Sequence, residues 1–253
     1  MREQGKKRSC ERGRSIVAVI GVFLCILCSV PASGQNFGYT SVASPPVGEA
    51  NHVTILSGIY GGTFTKQTSP LSGLLVDYSN GSITARRAYD HDDETVSLNL
   101  LTQTLDGEVD QIWTDGQTTV TAKAKYASFT QSFGWNGGDT GTTYIPLLTH
   151  ADIPTQREVE LEITGDFLWG YHPDGYQWWS LNENNSDCKD HFVTYKIEGL
   201  GGPDIVWLLF MEDLPLSQAD RDYNDFVVEI TAIPEPATAF LLVSGIALLI
   251  RKR

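Results

Sequence analysis

The stretches Phe192-Val193-Thr194-Tyr195-Lys196-Ile197-Glu198, Ile205-Val206-Trp207-Leu208-Leu209-Phe210-Met211 and Phe226-Val227-Val228-Glu229-Ile230-Thr231 decide the fold. In the first, Val193, Tyr195 and Ile197 fall on one face and Thr194, Lys196 and Glu198 on the other, the two-residue period of a half-buried strand. The same chemistry, Val, Thr, Tyr and Ile broken by Gly, Asn and Asp clusters, recurs upstream and predicts further strands at 53–60, 82–88, 95–101, 118–126, 143–148 and 158–164. No long helical period and no internal repeat appear. Many short strands separated by turn signals predict an all-β chain, a single β-sandwich or jelly roll, over residues 35–232. Residues 35–50, with Ser41, Ser44, Pro45 and Pro46, read as a poorly ordered lead-in.

Both ends of the 253-residue chain read as targeting sequence. Arg2, Lys6, Lys7, Arg8, Arg12 and Arg14 precede a 15-residue apolar run, 16–30, and the small residues Pro31-Ala32-Ser33-Gly34. These are the three parts of a secretory signal peptide, 1–34; cleavage suits Ala32 or Gly34, with Gly34 preferred. The run falls short of the roughly 20 residues a spanning helix needs. Leu27 before Cys28 argues against a lipoprotein signal, which wants a small residue there.

Removing the leader removes Cys10, Cys25 and Cys28, so the mature chain keeps only Cys188 and is expected to have no internal disulfide and an inert thiol. Leader and tail also hold nine of the 18 Lys and Arg but only three of the 31 Asp and Glu, which leaves nine bases against 28 acids between them. That excess repels nucleic acid and anionic lipid and favours multivalent cations.

At the C-terminus Pro234-Glu235-Pro236 precedes an apolar run, 237–250, and Arg251-Lys252-Arg253. This order resembles the PEP-CTERM signal. The resemblance implies that an exosortase-type processing protease recognises the tail, 233–253, during surface sorting in a Gram-negative bacterium. The apolar segment would insert transiently in the inner membrane as a transmembrane helix with its basic end cytoplasmic. The expected destination is the cell surface or the extracellular medium.

A second resemblance covers 190–230. Asp190-His191-Phe192-Val193-Thr194-Tyr195, Glu212-Asp213-Leu214 and Asp220-Arg221-Asp222-Tyr223-Asn224-Asp225 are similar to the C-terminal part of a domain of unknown function common in exosortase-sorted surface proteins. Membership implies a β-rich extracellular domain and no known reaction.

The residues of that motif carry their own chemistry. Asp220, Asp222 and Asn224 offer oxygens at alternate positions, Asp225 follows, and Glu212 and Asp213 lie across a short loop. Calcium takes six to eight hard oxygen ligands, and several carboxylates on one loop repel one another without a cation. Glu212, Asp213, Asp220, Asp222, Asn224 and Asp225 are therefore the expected ligands of one calcium ion. The spacing is not that of an EF-hand, since Asp225 and Thr231 stand where that loop needs Gly and Glu. The competing expectation is that these acids cap strands and form Asx-turns, with Asp222 paired to an arginine. Asp90-His91-Asp92-Asp93-Glu94 has ligand-type residues without useful spacing and reads as a solvated loop.

His52, His91, His150, His172 and His191 are scattered, and no zinc, nucleophile-elbow or phosphate-loop motif is present, so the sequence gives no anchor for an enzyme. Trp169, Trp178 and Trp179 could stack on sugars but are expected to fill the core. The expected role is a non-catalytic structural or adhesive component of the surface or matrix. A module that binds extracellular polysaccharide is the alternative.

Overall fold

The computed structural model of the chain describes residues 42–68, 76–88, 95–97, 112–114, 116–137, 143–202 and 204–233. Among these residues are fourteen strands and one α-helix: β1 (Thr65–Thr68), β2 (Val76–Ser79), β3 (Thr84–Arg87), β4 (Thr95–Ser97), β5 (Ile112–Thr114), β6 (Gly116–Lys125), β7 (Gln131–Trp135), β8 (Ile145–Thr149), β9 (Glu158–Ile163), β10 (Trp169–Pro173), β11 (Trp178–Trp179), β12 (Phe192–Glu198), β13 (Ile205–Met211) and β14 (Phe226–Ile233), with α1 (His52–Tyr60) preceding them. An eight-stranded sheet runs β1-β2-β3-β12-β13-β14-β6-β9, and a four-stranded sheet runs β11-β10-β7-β8. Every pairing within these two sheets is antiparallel. β4 and β5 form a separate parallel pair. The sheets stack as an open β-sandwich.

The large sheet is covered on both faces at its centre. In β13, Trp207, Leu209 and Met211 join Phe133, Trp169, Tyr171 and Trp178 of the small sheet in one core. Val206, Leu208 and Phe210 join Ile55, Leu56, Phe64 and Tyr195 in a second core on the opposite face. Burial on both faces explains why β13 reads as an uninterrupted apolar run. It also corrects the half-buried reading of β12: Thr194 is buried, because the small sheet covers that face too. Only Lys196 and Glu198, toward the strand's far end, keep partial exposure, and Lys196 Nζ lies 5.7 Å from the centre of the Trp207 ring.

The element at 52–60 is a helix, not the strand that Val53, Ile55 and Ile59 predict. Asn51 caps it, its side chain accepting from the Thr54 amide at 2.9 Å. His52, Ile55 and Leu56 are buried at helical spacing against the large sheet. Gly61, at φ 75°, ends it and donates its amide to the Ser57 carbonyl.

The segment 42–50 is tied down rather than loose. Ala43 N donates to the Arg221 carbonyl at 2.8 Å, and Val42 and Ala50 pack against the second core.

The 192–198 and 205–211 predictions match β12 and β13 residue for residue, and β14 runs on to Ile233, the first residue assigned to the tail. β1, β2, β5, β7, β10 and β11 fall outside the strands that the sequence predicts. Cys188 is disulfide-bonded in the full chain; the expectation of an inert thiol concerns the chain after removal of 1–34, which holds the other three cysteines. Among the described residues no helix is long and apolar enough to cross a membrane. The expected signal peptide, 1–34, the Pro234-Glu235-Pro236 motif and the 90–94 cluster lie outside the described residues.

Candidate metal centre

The six motif residues all lie on the β13 to β14 connection, where the five carboxylates sort into two groups rather than one and Asn224 contacts Asp222. Glu212, Asp213 and Asp225 form the first, each offering an oxygen within 4.8 Å of the others. Asp220 and Asp222 join Glu49 in the second at the same spacing. Two oxygens on opposite sides of a calcium ion lie about 4.6–5.2 Å apart, so either group has the dimensions of a calcium shell.

The first group is set by strand ends. Met211 closes β13 and Phe226 opens β14, so Glu212, Asp213 and Asp225 leave adjacent strands side by side. Backbone bonds fix them. Asp213 N donates to Asp225 Oδ2 at 2.8 Å, Arg221 N to Glu212 Oε2 at 3.0 Å, and Glu212 N to the His191 carbonyl at 3.1 Å. Behind the group, Tyr171 donates to Gln131 Oε1 and Gln131 Nε2 donates to Asp213 Oδ2 at 3.2 Å. Trp178 Nε1 donates to the Asp213 carbonyl at 3.0 Å, and His191 Nδ1 meets the Glu212 carbonyl at 3.1 Å.

Burial, then the neighbouring carboxylates, pushes Asp225 well above the usual carboxylate range. Burial foremost also raises Glu212 and Asp213. With their oxygens within 4.8 Å of one another, full ionisation of all three would set like charges side by side. Among the described residues no lysine or arginine ion-pairs with any of the three. A cation at this point would meet three hard oxygens at once and offset their repulsion.

The second group sits on a strained loop. Arg221 and Tyr223 hold φ of 63° and 56°, left-handed values that non-glycine residues rarely adopt. Asp222 Oδ1 accepts from Asn224 N at 3.1 Å, and Asp220 Oδ1 from Asp222 N at 3.4 Å, so the Asx-turn expectation is met at both residues. The expected arginine partner of Asp222 is not: Arg221 Nε and Nη2 donate instead to the Leu216 carbonyl at 3.0 and 2.9 Å. Burial, then Asp220 and Glu49, raises Asp222 to about 6. The sequence reading missed Glu49 because its partners lie some 170 residues away and nothing local marks it.

The aromatic segment is core. Trp169, Trp178 and Trp179 are at most 2% exposed, so their faces are spent on packing rather than offered to a sugar. No family model matches the chain, and no curated protein matches it.

Proposed function

We propose that this chain is an exported, non-catalytic component of the bacterial cell surface or extracellular matrix, with a β-sandwich stabilised by calcium. The observation that carries the reading is the group of buried Glu212 and Asp213 with half-buried Asp225, whose oxygens lie within 4.8 Å of one another with no ion-paired lysine or arginine among the described residues. Such a group is costly to keep without a cation, and extracellular fluid supplies calcium at concentrations that suit sites of about 10⁻⁴–10⁻³ M. The basic leader, the Pro234-Glu235-Pro236 tail and the acid excess between them support export and surface sorting. Calcium here is structural: it joins the ends of β13 and β14 at the corner where both cores meet.

Thermal unfolding of the purified full chain tests the reading. At 100 times the dissociation constant, an ion that binds only the folded state stabilises it by about 2.7 kcal/mol, a clear rise in Tm. Magnesium is expected to do much less, because it demands tight octahedral geometry and holds its waters. The paired variant Asp213→Asn with Asp225→Asn is expected to lose most of the calcium response. A wild-type Tm indifferent to millimolar calcium rejects the reading.

A further inference from the structure

We infer that Glu49, Asp220 and Asp222 form a second divalent-cation site, one that fastens the N-terminal segment 42–51 to the loop before β14. The inference rests on the calcium reading only for the identity of the ion; its residues are separate from the Glu212 group.

Three contacts bring the two stretches together. Ala43 N donates to the Arg221 carbonyl at 2.8 Å, Asn224 Nδ2 donates to the Ala50 carbonyl at 3.0 Å, and His52 Nε2 donates to the Asp222 carbonyl at 2.9 Å. They hold Glu49 over the loop, with its carboxylate within 4.8 Å of those of Asp220 and Asp222. Three negative charges thus meet across a junction between distant parts of the chain. Arg221, between two of them in sequence, turns its guanidinium away to Leu216.

Asn224 supplies the independent sign of a missing partner. It is fully buried, and its carboxamide reaches into the cluster, Nδ2 lying 2.7 Å from Asp222 Oδ2. That contact and the one to Ala50 use both amide hydrogens. Its Oδ1 is buried with no donor. Buried oxygens without a partner are rare and mark a place where a water or an ion belongs. A cation among Glu49, Asp220 and Asp222 supplies the positive neighbour that this oxygen and the three carboxylates lack. Glu49 and Asp220 are exposed, which leaves an open route for the ion and keeps its waters available as further ligands.

The consequence is a calcium-dependent latch. With the ion bound, the segment 42–51 is held to the sheet; without it, repulsion between Glu49 and the loop carboxylates favours release. Isothermal titration with calcium chloride and hydrogen–deuterium exchange on the full chain, as wild type, Glu49→Gln and Asp213→Asn with Asp225→Asn, test this. The expected result is two calcium ions per wild-type chain and one for each variant. At about 10 mM calcium and a dissociation constant of about 10⁻⁴–10⁻³ M, exchange of the 43–51 amides is expected to slow by roughly 10- to 100-fold in wild type. Glu49→Gln is expected to abolish that slowing while keeping the calcium-dependent rise in Tm. Two ions bound by Glu49→Gln, or calcium protection of 43–51 unchanged in it, overturns this site and leaves the Glu212 group standing. A wild-type chain that takes up no calcium overturns both.

Discussion

The His191 imidazole lies flat on the Trp178 indole, ring centres 3.7 Å apart and planes inclined by 4°. Each ring then reaches one of two consecutive peptides: His191 Nδ1 meets the Glu212 carbonyl and Trp178 Nε1 donates to that of Asp213. The stack therefore fixes the backbone from which the two buried carboxylates of the group, Glu212 and Asp213, project. Its rigidity is what lets like charges remain at ligand spacing.

Trp178→Phe tests that arrangement, since it keeps a ring for the stack and deletes the donor. The Asp213 carbonyl then loses a buried hydrogen bond, and a loss of about 1–3 kcal/mol is expected in urea unfolding. Calcium affinity is expected to fall as well, because the carboxylate is less firmly placed. Unchanged affinity together with lost stability would confine the stack to a packing role.

Two glycines predict changes of opposite sign. Gly134 sits at the register shift between β7 and β8, and a Cβ there would lie 2.1 Å from the Ile145 carbonyl oxygen. Backbone cannot yield cheaply, so Gly134→Ala is expected to cost about 1–3 kcal/mol. Gly58 lies within α1, is exposed, and has nothing within 4 Å of an added Cβ. Gly58→Ala is expected to stabilise by about 0.5–1 kcal/mol through reduced freedom of the unfolded chain. Chemical denaturation of both variants checks the pair.

The contrast between α1 and β12–β14 shows what the sequence could disclose. β12 and β13 were readable to the residue because β-branched and aromatic side chains at strand length are bounded by Asp and Gly-rich turns. α1 carries similar residues, but its identity lies in the Asn51 cap, the buried i, i+3, i+4 set and the Gly61 stop, signals that a strand-rich context masks. β7 and β10 pair through Gly134 and Gly170, glycines that look like loop residues until Tyr144 is seen lying against both. The motif acids were legible as a site by type and proximity. Their division into two groups was not, since that depends on where Glu49 is brought by contacts 170 residues distant.

Removal of residues 234–253 separates sorting from folding. Ile233 pairs with Gln117 in the sheet, so truncation after it spares β14. Export is expected to persist and retention at the surface to change, read by cell fractionation. Identical distribution of truncated and full-length protein would reject the sorting proposal.

His52 predicts acid sensitivity. It is buried, with Nδ1 bonded to the Tyr195 hydroxyl at 2.9 Å, and burial first, then Arg87, lowers it to about 3. A base held neutral in the fold but protonated at about 6.5 when unfolded contributes stability above that pH. That stability is lost progressively between pH 6.5 and 3. His52→Gln is expected to lower stability at neutral pH and to flatten this acid limb; an acid limb of unchanged slope in the variant would show that other groups cause it.

The buried carboxylates predict the opposite slope at higher pH once calcium is removed. Glu212, Asp213 and Asp225 all have folded values raised above their unfolded ones, with burial the largest cause. Through that interval the folded state binds more protons than the unfolded state, so stability falls as pH rises. The contribution is fully present below about 4, the unfolded carboxylate range, and is lost as pH passes the raised values, which for Glu212 is about 7. Above pH 6.5 the His52 contribution is complete, so the decline between 6.5 and 8 belongs to the acids. Calcium is expected to reverse it, because an ion at this point would bind the carboxylates in their ionised form. The stabilisation by calcium is therefore expected to grow with pH across this window, as the stability in chelator falls. Asp213→Asn with Asp225→Asn removes two of the three titrating groups and is expected to flatten both curves. Unfolding free energies measured at several pH values, in chelator and in calcium, check the sign. A chelator curve that is flat or rising from pH 6.5 to 8 would mean that these carboxylates are already compensated, and the case for an ion at Glu212, Asp213 and Asp225 would fall with it.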